Sequence, residues 1–425
     1  MSELLAINGG EPAIPEGLLK SWPPVDELDR ELVLASLDQA NHAFGPNCQD
    51  LQEEFARWNG NRHCLTTNSG TAALHMGLVA CDCGCGDEVI VPAYSWSSSV
   101  TCVMQHNSIP VFVDIDYDTM NIDPAKIEAA ITPKTRAIIV VHLHGLSAEM
   151  DPIMDIANRH GLKVIEDACQ AHGAKYKGRK VGTIGHCAAF SFNQNKLLCS
   201  GEGGAFVTDD EGMLAKAQSL WSFGETRSPA ESRDYHVYAM GWMYRNNDLT
   251  AAFGRAQLKK LDANLATIAE HAELFTRELQ GVPGLILPTA PAHCDHNWYN
   301  YTLRFDLAAL GHADDAPQFR DKIVAAMNAE GVQTGLWQRF ILPAMTVFQA
   351  KNAYGHGCPW DCPNAQAVDY TPDNFPVAQR HCDTHTGITY PLRPPNGPEA
   401  VKYMAAGIRK VMENVDQLEQ TPEAK

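Results

Sequence analysis

The chain is short of positive charge, of long apolar runs and of paired metal-ligand motifs. Its 33 Lys and Arg are outnumbered by 51 Asp and Glu, for a formal net charge of −18. A field of that sign repels phosphate backbones and anionic lipid surfaces, so neither a nucleic acid nor a membrane is an expected partner. No stretch approaches the ~20 consecutive apolar residues of a membrane span. Residues 1–6 carry neither a basic region nor an apolar core, so no secretory leader is expected and the cytoplasm is the expected location. There is no internal repeat and no low-complexity segment.

Cysteine is present but unpaired in pattern. The 13 cysteines are odd in number and scattered, which suits free thiols in a reducing compartment. The densest run is Cys81-Asp82-Cys83-Gly84-Cys85. Structural zinc sites use four ligands in paired, wider spacings. The run therefore reads as a turn between a helix and a strand, and Cys358 and Cys362, flanking Pro359-Trp360-Asp361, read the same way. No metal is expected. A length of 425 residues allows two or three domains, and 45% hydrophobic content is enough for a large core.

What is there is organised around one stretch. A strand-like run ending at Phe190-Ser191-Phe192 is followed by Asn193-Gln194-Asn195-Lys196, then Leu197-Leu198, and then Gly201-Glu202-Gly203-Gly204. The apolar neighbours imply that Lys196 is partly buried. An amine held there is costly to keep charged and becomes a nucleophile. Covalent lysine chemistry with a carbonyl, most often the aldehyde of pyridoxal phosphate, is the sharp reading. A loop lysine beside a glycine turn is the plain one.

The chain around it alternates strand and helix. An extended arm (4–24) precedes helices over 26–37 and 51–58. A short strand then turns at Ser69-Gly70-Thr71 into a helix over 72–79. Such a helix start offers free N–H groups and a favourable dipole to an anion, although a plain N-cap has the same look. Strands at 88–91, 111–114, 137–141 and 163–167 alternate with helices at 97–106, 124–131 and 151–160. That is an α/β layout with a largely parallel sheet. Ligands of such sheets gather at the carboxyl ends of strands. Trp96, Asp167, and Ser191 with Lys196 lie at such ends. A carboxylate like Asp167 can keep a pyridine nitrogen protonated, Gln170 can reach the same ligand, and Trp96 can stack on a ring.

An irregular stretch at 221–238 reads as a loop near the substrate. The helical pattern over Leu249, Ala252, Phe253 and Ala256 resumes at Leu265 and runs to Leu279. The expected boundary lies there, giving a large domain with an N-terminal arm (1–264) and a smaller α+β domain (265–425).

With these residues in view, the sequence resembles the DegT/DnrJ/EryC1/StrS family of aminotransferases. The patterns that carry the resemblance are Ser69-Gly70-Thr71-Ala72-Ala73-Leu74, Gly86-Asp87-Glu88-Val89-Ile90-Val91-Pro92, Met150-Asp151-Pro152-Ile153, Glu166-Asp167-Ala168-Cys169-Gln170, Ser191 to Lys196, and Gly201-Glu202-Gly203-Gly204. Within the family it looks most like the scyllo-inosose aminotransferases and 3-amino-5-hydroxybenzoate synthase, through Ala6-Ile7-Asn8-Gly9-Gly10 among others.

The resemblance implies the aspartate-aminotransferase-like fold (fold type I) and pyridoxal phosphate as cofactor. It implies an amino donor, glutamate or glutamine, and a keto sugar or cyclitol as acceptor, in antibiotic or nucleotide-sugar pathways. By matching position, Lys196 would hold the cofactor as a Schiff base and Asp167 would pair with the ring nitrogen. Gln170 would contact the phenolic oxygen, Trp96 would stack, and Gly70, Thr71 and Ser191 would hold the phosphate. The family is dimeric with shared active sites. Met243 stands where relatives have an Asn that reaches the neighbouring subunit. Arg245, Arg339 and Trp337 are candidates for substrate contact. A dehydratase or aromatising enzyme on the same scaffold and a non-catalytic regulator are the alternatives, and Lys196 argues against the sugar dehydratases, in which a His replaces it.

Overall fold

Apolar runs of strand length alternate with amphipathic runs of helix length through the first half of the chain. The structure is a computed structural model that describes residues 3–225 and 235–420. In order these are α1 (Glu27–Leu37), α2 (Pro46–Asn59), β1 (His63–Thr67), α3 (Gly70–Ala80), β2 (Glu88–Pro92), α4 (Ser98–Gln105), β3 (Ile109–Val113), α5 (Pro124–Ile127), β4 (Thr135–Val141), α6 (Met150–His160) and β5 (Lys163–Asp167). Two short strands, β6 (Lys175–Tyr176) and β7 (Arg179–Lys180), lead to β8 (Cys187–Ser191), β9 (Gly204–Thr208) and α7 (Glu211–Trp221).

Among the described residues, seven strands form one sheet in the order β1-β9-β8-β5-β4-β2-β3. Neighbours from β8 through β5, β4 and β2 to β3 run parallel, and only β9 is reversed, against both β8 and β1. Helices cover both faces, so the central strands are apolar on both sides. Val89, Ile90 and Val91 of β2 and Ile138, Ile139 and Val140 of β4 are all fully buried. Each such side chain contributes about 1.5–3 kcal/mol of burial. The sheet's carboxyl edge collects the chain segments after β1, β2, β5 and β8.

The second half is α8 (Asp248–Leu279), β10 (Leu285–Ile286), β11 (Cys294–Asp295), β12 (Tyr301–Phe305), α9 (Ala316–Ala329), α10 (Thr346–Gln349), α11 (Pro376–Thr384), β13 (His385–Ile388) and α12 (Pro398–Glu413). Strands β10, β12 and β13 form a small antiparallel sheet packed by α9, α12 and the end of α8.

The expected cut at 264/265 falls inside α8, a continuous helix of 32 residues. Leu258, Leu261, Ile268, Ala272, Phe275 and Leu279 are buried along it, with the half-buried Leu265 packed beside them, so the apolar period is unbroken. The polar run between the two expected pieces is taken up by α1, where Lys260 pairs with Asp26 and Asp29. Leu5 and Ile14 of the arm pack in the core of the small sheet. Conversely, Ile341, Leu342, Phe348, Trp360, Tyr370 and Phe375 join the core of the large sheet. Phe112 of β3 meets the rings of Phe348 and Tyr370 at 5.1 Å. Aromatic residues in an otherwise irregular segment need an apolar surface, and β3 is the edge strand that offers one.

The helix expected to begin at 51 starts at Pro46, because the buried Asp248 carboxylate accepts from Asn47 N (2.8 Å) and Asn47 Nδ2 (2.7 Å) at its first turn. Of the loop expected at 221–238, residues 226–234 lie outside the described residues. Among the described residues, no helix is long and apolar enough to cross a membrane.

Candidate active site

Strand alternation separates two adjacent carboxylates at the end of β5. Glu166 turns away from the edge and is taken up by the N–H groups of Gly182 (2.7 Å), Ile184 (2.8 Å) and Gly185 (2.5 Å) and by His142 Nε2 at 2.8 Å. Burial alone would raise its pKa, but these bonds outweigh burial and hold it below the usual carboxylate range. Asp167 faces the other way, into a cavity of ≈ 220 Å³ at the carboxyl edge of the sheet. It is 5% exposed. Ser99 Oγ donates to its Oδ2 at 2.6 Å and Cys169 N to its Oδ1 at 3.2 Å.

The same cavity is lined by Gly70, Thr71, Trp96, Gln170, Ser191 and Lys196, and by Trp337. All seven residues expected to hold the cofactor are thus brought together. Gly70 and Thr71 open α3, whose first N–H groups have no partner within the helix. Ser69 caps it by accepting from Ala72 N at 3.1 Å. Only glycine fits at position 70, since an added Cβ would stand 2.8 Å from Cys169 Sγ and from Ser191 Cβ. Gln170 is fixed through its Oε1, which accepts from His144 N at 2.8 Å. Trp96 is 52% exposed and forms the rim. Its ring lies 6.2 Å from Trp337, which in turn packs on His144 at 4.8 Å.

Lys196 is half-buried, and its Nζ donates to Tyr299 Oη at 3.2 Å. Its loop is held by two groups that no local sequence pattern marks. Trp22 Nε1 donates to Lys196 O at 3.0 Å. Arg393, fully buried, donates to Asn195 O at 2.8 Å and to Tyr299 O at 2.9 Å. Burial pushes the Arg393 pKa down to about 10, which leaves it charged at neutral pH. The rings of Trp22, Tyr299 and Tyr390 surround it, with centroids 5.1–5.3 Å away. Asn193, Asn195, Glu202 and Ser99 also line or brace the cavity. Only local sequence near an expected motif marked any of these, and nothing marked Tyr299 or Arg393, which lie about 100 and 200 residues beyond Lys196.

Two expected substrate contacts do not line the cavity. Arg339 is exposed and pairs with Asp321 on α9 at 3.2 Å. Arg245 bridges Thr67 through its backbone, and its guanidinium lies 5.6 Å from the Phe223 ring. Met243 is 50% exposed. Its carbonyl accepts from Asn68 Nδ2 at 3.3 Å, so its side chain takes no part in that bond.

The cavity has at one end a helix N-terminus beside a serine, in its depth a carboxylate, and on its wall an amine. These are the groups that a phosphorylated pyridine aldehyde requires. The residues present therefore fit pyridoxal phosphate.

Comparison with known proteins agrees in fold and family. Residues 23–407 match the DegT/DnrJ/EryC1/StrS aminotransferase family. The chain is 35% identical over 369 residues to GDP-perosamine synthase of Caulobacter vibrioides, covering 86% of this chain and 93% of that protein. It is 39% identical over 297 residues to the spore coat polysaccharide biosynthesis protein SpsC of Bacillus subtilis, covering 68% and 76%. Among solved structures, 3-amino-5-hydroxybenzoic acid synthase superposes with a TM-score of 0.82 at 28% identity, covering 93% of this chain and 98% of that one.

Proposed function

Because the chain belongs to the DegT/DnrJ/EryC1/StrS aminotransferase family, we propose that it moves an amino group from glutamate or glutamine to the keto group of a sugar or cyclitol. It is a pyridoxal-phosphate-dependent aminotransferase. The observation that carries the reading is that the Lys196 amine and the Asp167 carboxylate line one cavity, with the N-terminus of α3 beside them.

When bound, pyridoxal phosphate supplies an aldehyde that exchanges amines and a ring that withdraws electrons. The N–H groups at Gly70 and Thr71, with the Ser191 hydroxyl, would bind its phosphate. Asp167, oriented by Ser99 and by Cys169 N, would hold a proton on the ring nitrogen. Gln170 would meet the phenolic oxygen, and Trp96 would cover a ring face. Lys196 Nζ takes a proton from the donor's α-carbon, a general-base role that contributes about 10²–10⁴-fold. Tyr299 Oη holds that amine between transfers. The reaction runs in two halves, the second reversing the first on the acceptor.

The chain functions as a cytoplasmic homodimer with shared active sites, in secondary-metabolite or nucleotide-sugar biosynthesis, and binds no nucleic acid. The two lobes, 1–264 and 265–425, are joined through the continuous helix α8, with the arm and the 341–375 segment packing across between them. An aromatising role like that of 3-amino-5-hydroxybenzoic acid synthase is the second reading, favoured by the structural likeness to that enzyme.

Cofactor-loaded enzyme mixed with glutamine or glutamate, without acceptor, tests the donor by loss of the cofactor's visible absorbance band. Adding keto-cyclitols or nucleotide-linked keto sugars tests the acceptor by amine formation. Water loss without amine transfer would select the second reading, and no spectral change with either donor would sink the first.

A further inference from the structure

Nine of the 13 cysteines are buried, and Cys85, Cys169, Cys358 and Cys362 are not. Three of those four meet at one place outside the cavity. Cys85 lies in the turn between α3 and β2, and Cys358 and Cys362 come from a segment more than 270 residues further on. Gly86 packs so tightly on that segment that an added Cβ would stand 2.7 Å from the backbone carbon of Asn364. Successive turns, with Cys358 N donating to Gly355 O (3.2 Å), Asp361 N to Gly357 O (2.9 Å) and Cys362 N to Pro359 O (3.2 Å), bring the two nearer thiols together. Cys358 Sγ and Cys362 Sγ are 3.9 Å apart. The Cys85 thiol lies close enough to raise the pKa of the Cys362 thiol.

We propose that Cys85, Cys358 and Cys362 form an oxidisable three-thiol site, in which Cys362 closes a disulfide with one of its two neighbours by exchange with a small disulfide such as oxidised glutathione. Cys362 pairs with Cys358 and feels the Cys85 thiol, an arrangement in a row. A metal centre would gather its ligands around a point. Among the described residues, the ligand atoms that all lie within 4.8 Å of one another are those of Glu149, His293 and Cys294, and the three thiols are not among them.

The step balances. A neighbour's thiolate attacks one sulfur of oxidised glutathione, breaking its S–S bond and releasing one glutathione. The Cys362 thiol gives its proton to solvent and displaces the second glutathione. One S–S bond is lost and one is formed; two protein thiols are oxidised and the glutathione disulfide is reduced. Contact with Cys85, then burial, then contact with Cys358 push the Cys362 thiol up to about 12. Cys362 therefore does not start the exchange. Once a neighbour is a mixed disulfide, that contact no longer holds the Cys362 proton.

The test is to treat the full-length, cofactor-loaded enzyme with oxidised glutathione, block free thiols and map the peptides by mass. The expected result is the loss of two blockable thiols and a cross-link containing Cys362, reversed by dithiothreitol. Cys362→Ser should stop at a glutathione adduct on Cys85 or Cys358, and Cys85→Ser, at an exposed position, should still close Cys358 with Cys362. Adducts without any cross-link in the unmodified chain, or a cross-link lacking Cys362, would overturn the proposal. So would stoichiometric zinc that co-purifies and is lost in Cys362→Ser.

Discussion

The floor of the cavity and its outer wall are built by different means. The floor is made of residues at strand ends within one sheet: Gly70 and Thr71 after β1, Asp167 on β5, and Ser191 on β8. Backbone pairing fixes their spacing, so the position of each follows from the position of the others. The wall is made of Tyr299, Trp337 and the bracing Arg393, which reach the site from the second half of the chain. A buried hydrogen bond from Arg393 holds Tyr299, and ring packing on Tyr94 and His144 holds Trp337. Apart from Gly70, where only glycine fits, and its own reacting groups, the floor therefore draws its shape from backbone pairing, whereas the wall depends on a few buried contacts.

Four experiments break or sharpen that contrast. Lys196→Ala removes the reacting amine of the floor loop, and turnover should fall by about 10²–10⁴-fold with the fold intact, read by amine formation and circular dichroism. Unchanged turnover would refute the mechanism. Arg393→Met acts on the wall and should cost stability as well. It leaves the carbonyls of Asn195 and Tyr299 unpaired, each at a cost of about 1–3 kcal/mol, so the urea midpoint should drop together with activity.

Acid should attack the buried histidines around the wall. Burial, aided by nearby positive groups, pushes His172 down to about 3, burial first pushes His385 down to about 4, and His144 and His381 are lowered as well. Each is neutral in the folded state and takes up a proton once unfolded. Stability is thus complete above pH ~6.5 and is lost as pH falls toward 4, at about 1.4 kcal/mol per pH unit for each such histidine. Unfolding midpoints at pH 7.5 and 5.5 measure it, and equal midpoints would contradict it.

Tyr299→Phe is the smallest of the four. It removes one hydrogen bond to the Lys196 amine, worth about 0.5–1.5 kcal/mol, so kcat should fall by roughly two- to tenfold with little change in thermal midpoint. Arg339→Ala is its control: an exposed pair with Asp321 is worth about 0–1 kcal/mol and lies outside the cavity.

Much of the floor was legible because its chemistry is written in short runs. Ser69-Gly70-Thr71 and Glu166-Asp167 each carry both the structural signal and the functional group within a few residues. The unbroken α8 was harder to read, because Lys259 and Lys260 interrupt the apolar pattern visually while Leu258 and Leu261 continue it. Place along the chain puts the arm with the large lobe and the segment around Phe348 with the small one, yet each packs on the other. Arg245 and Arg339 were plausible from residue type alone, which carries no direction.

By itself the sequence determined the alternating sheet and helices, the lysine and the carboxylate at strand ends, and the family. Those depend on local periodicity and on groups a few residues apart. Only the tertiary structure decided which distant residues brace the lysine loop, and that Cys85 comes near the paired thiols of Cys358 and Cys362 from a remote turn. Such pairings depend on how apolar surfaces close over one another, and no local pattern in the chain records that.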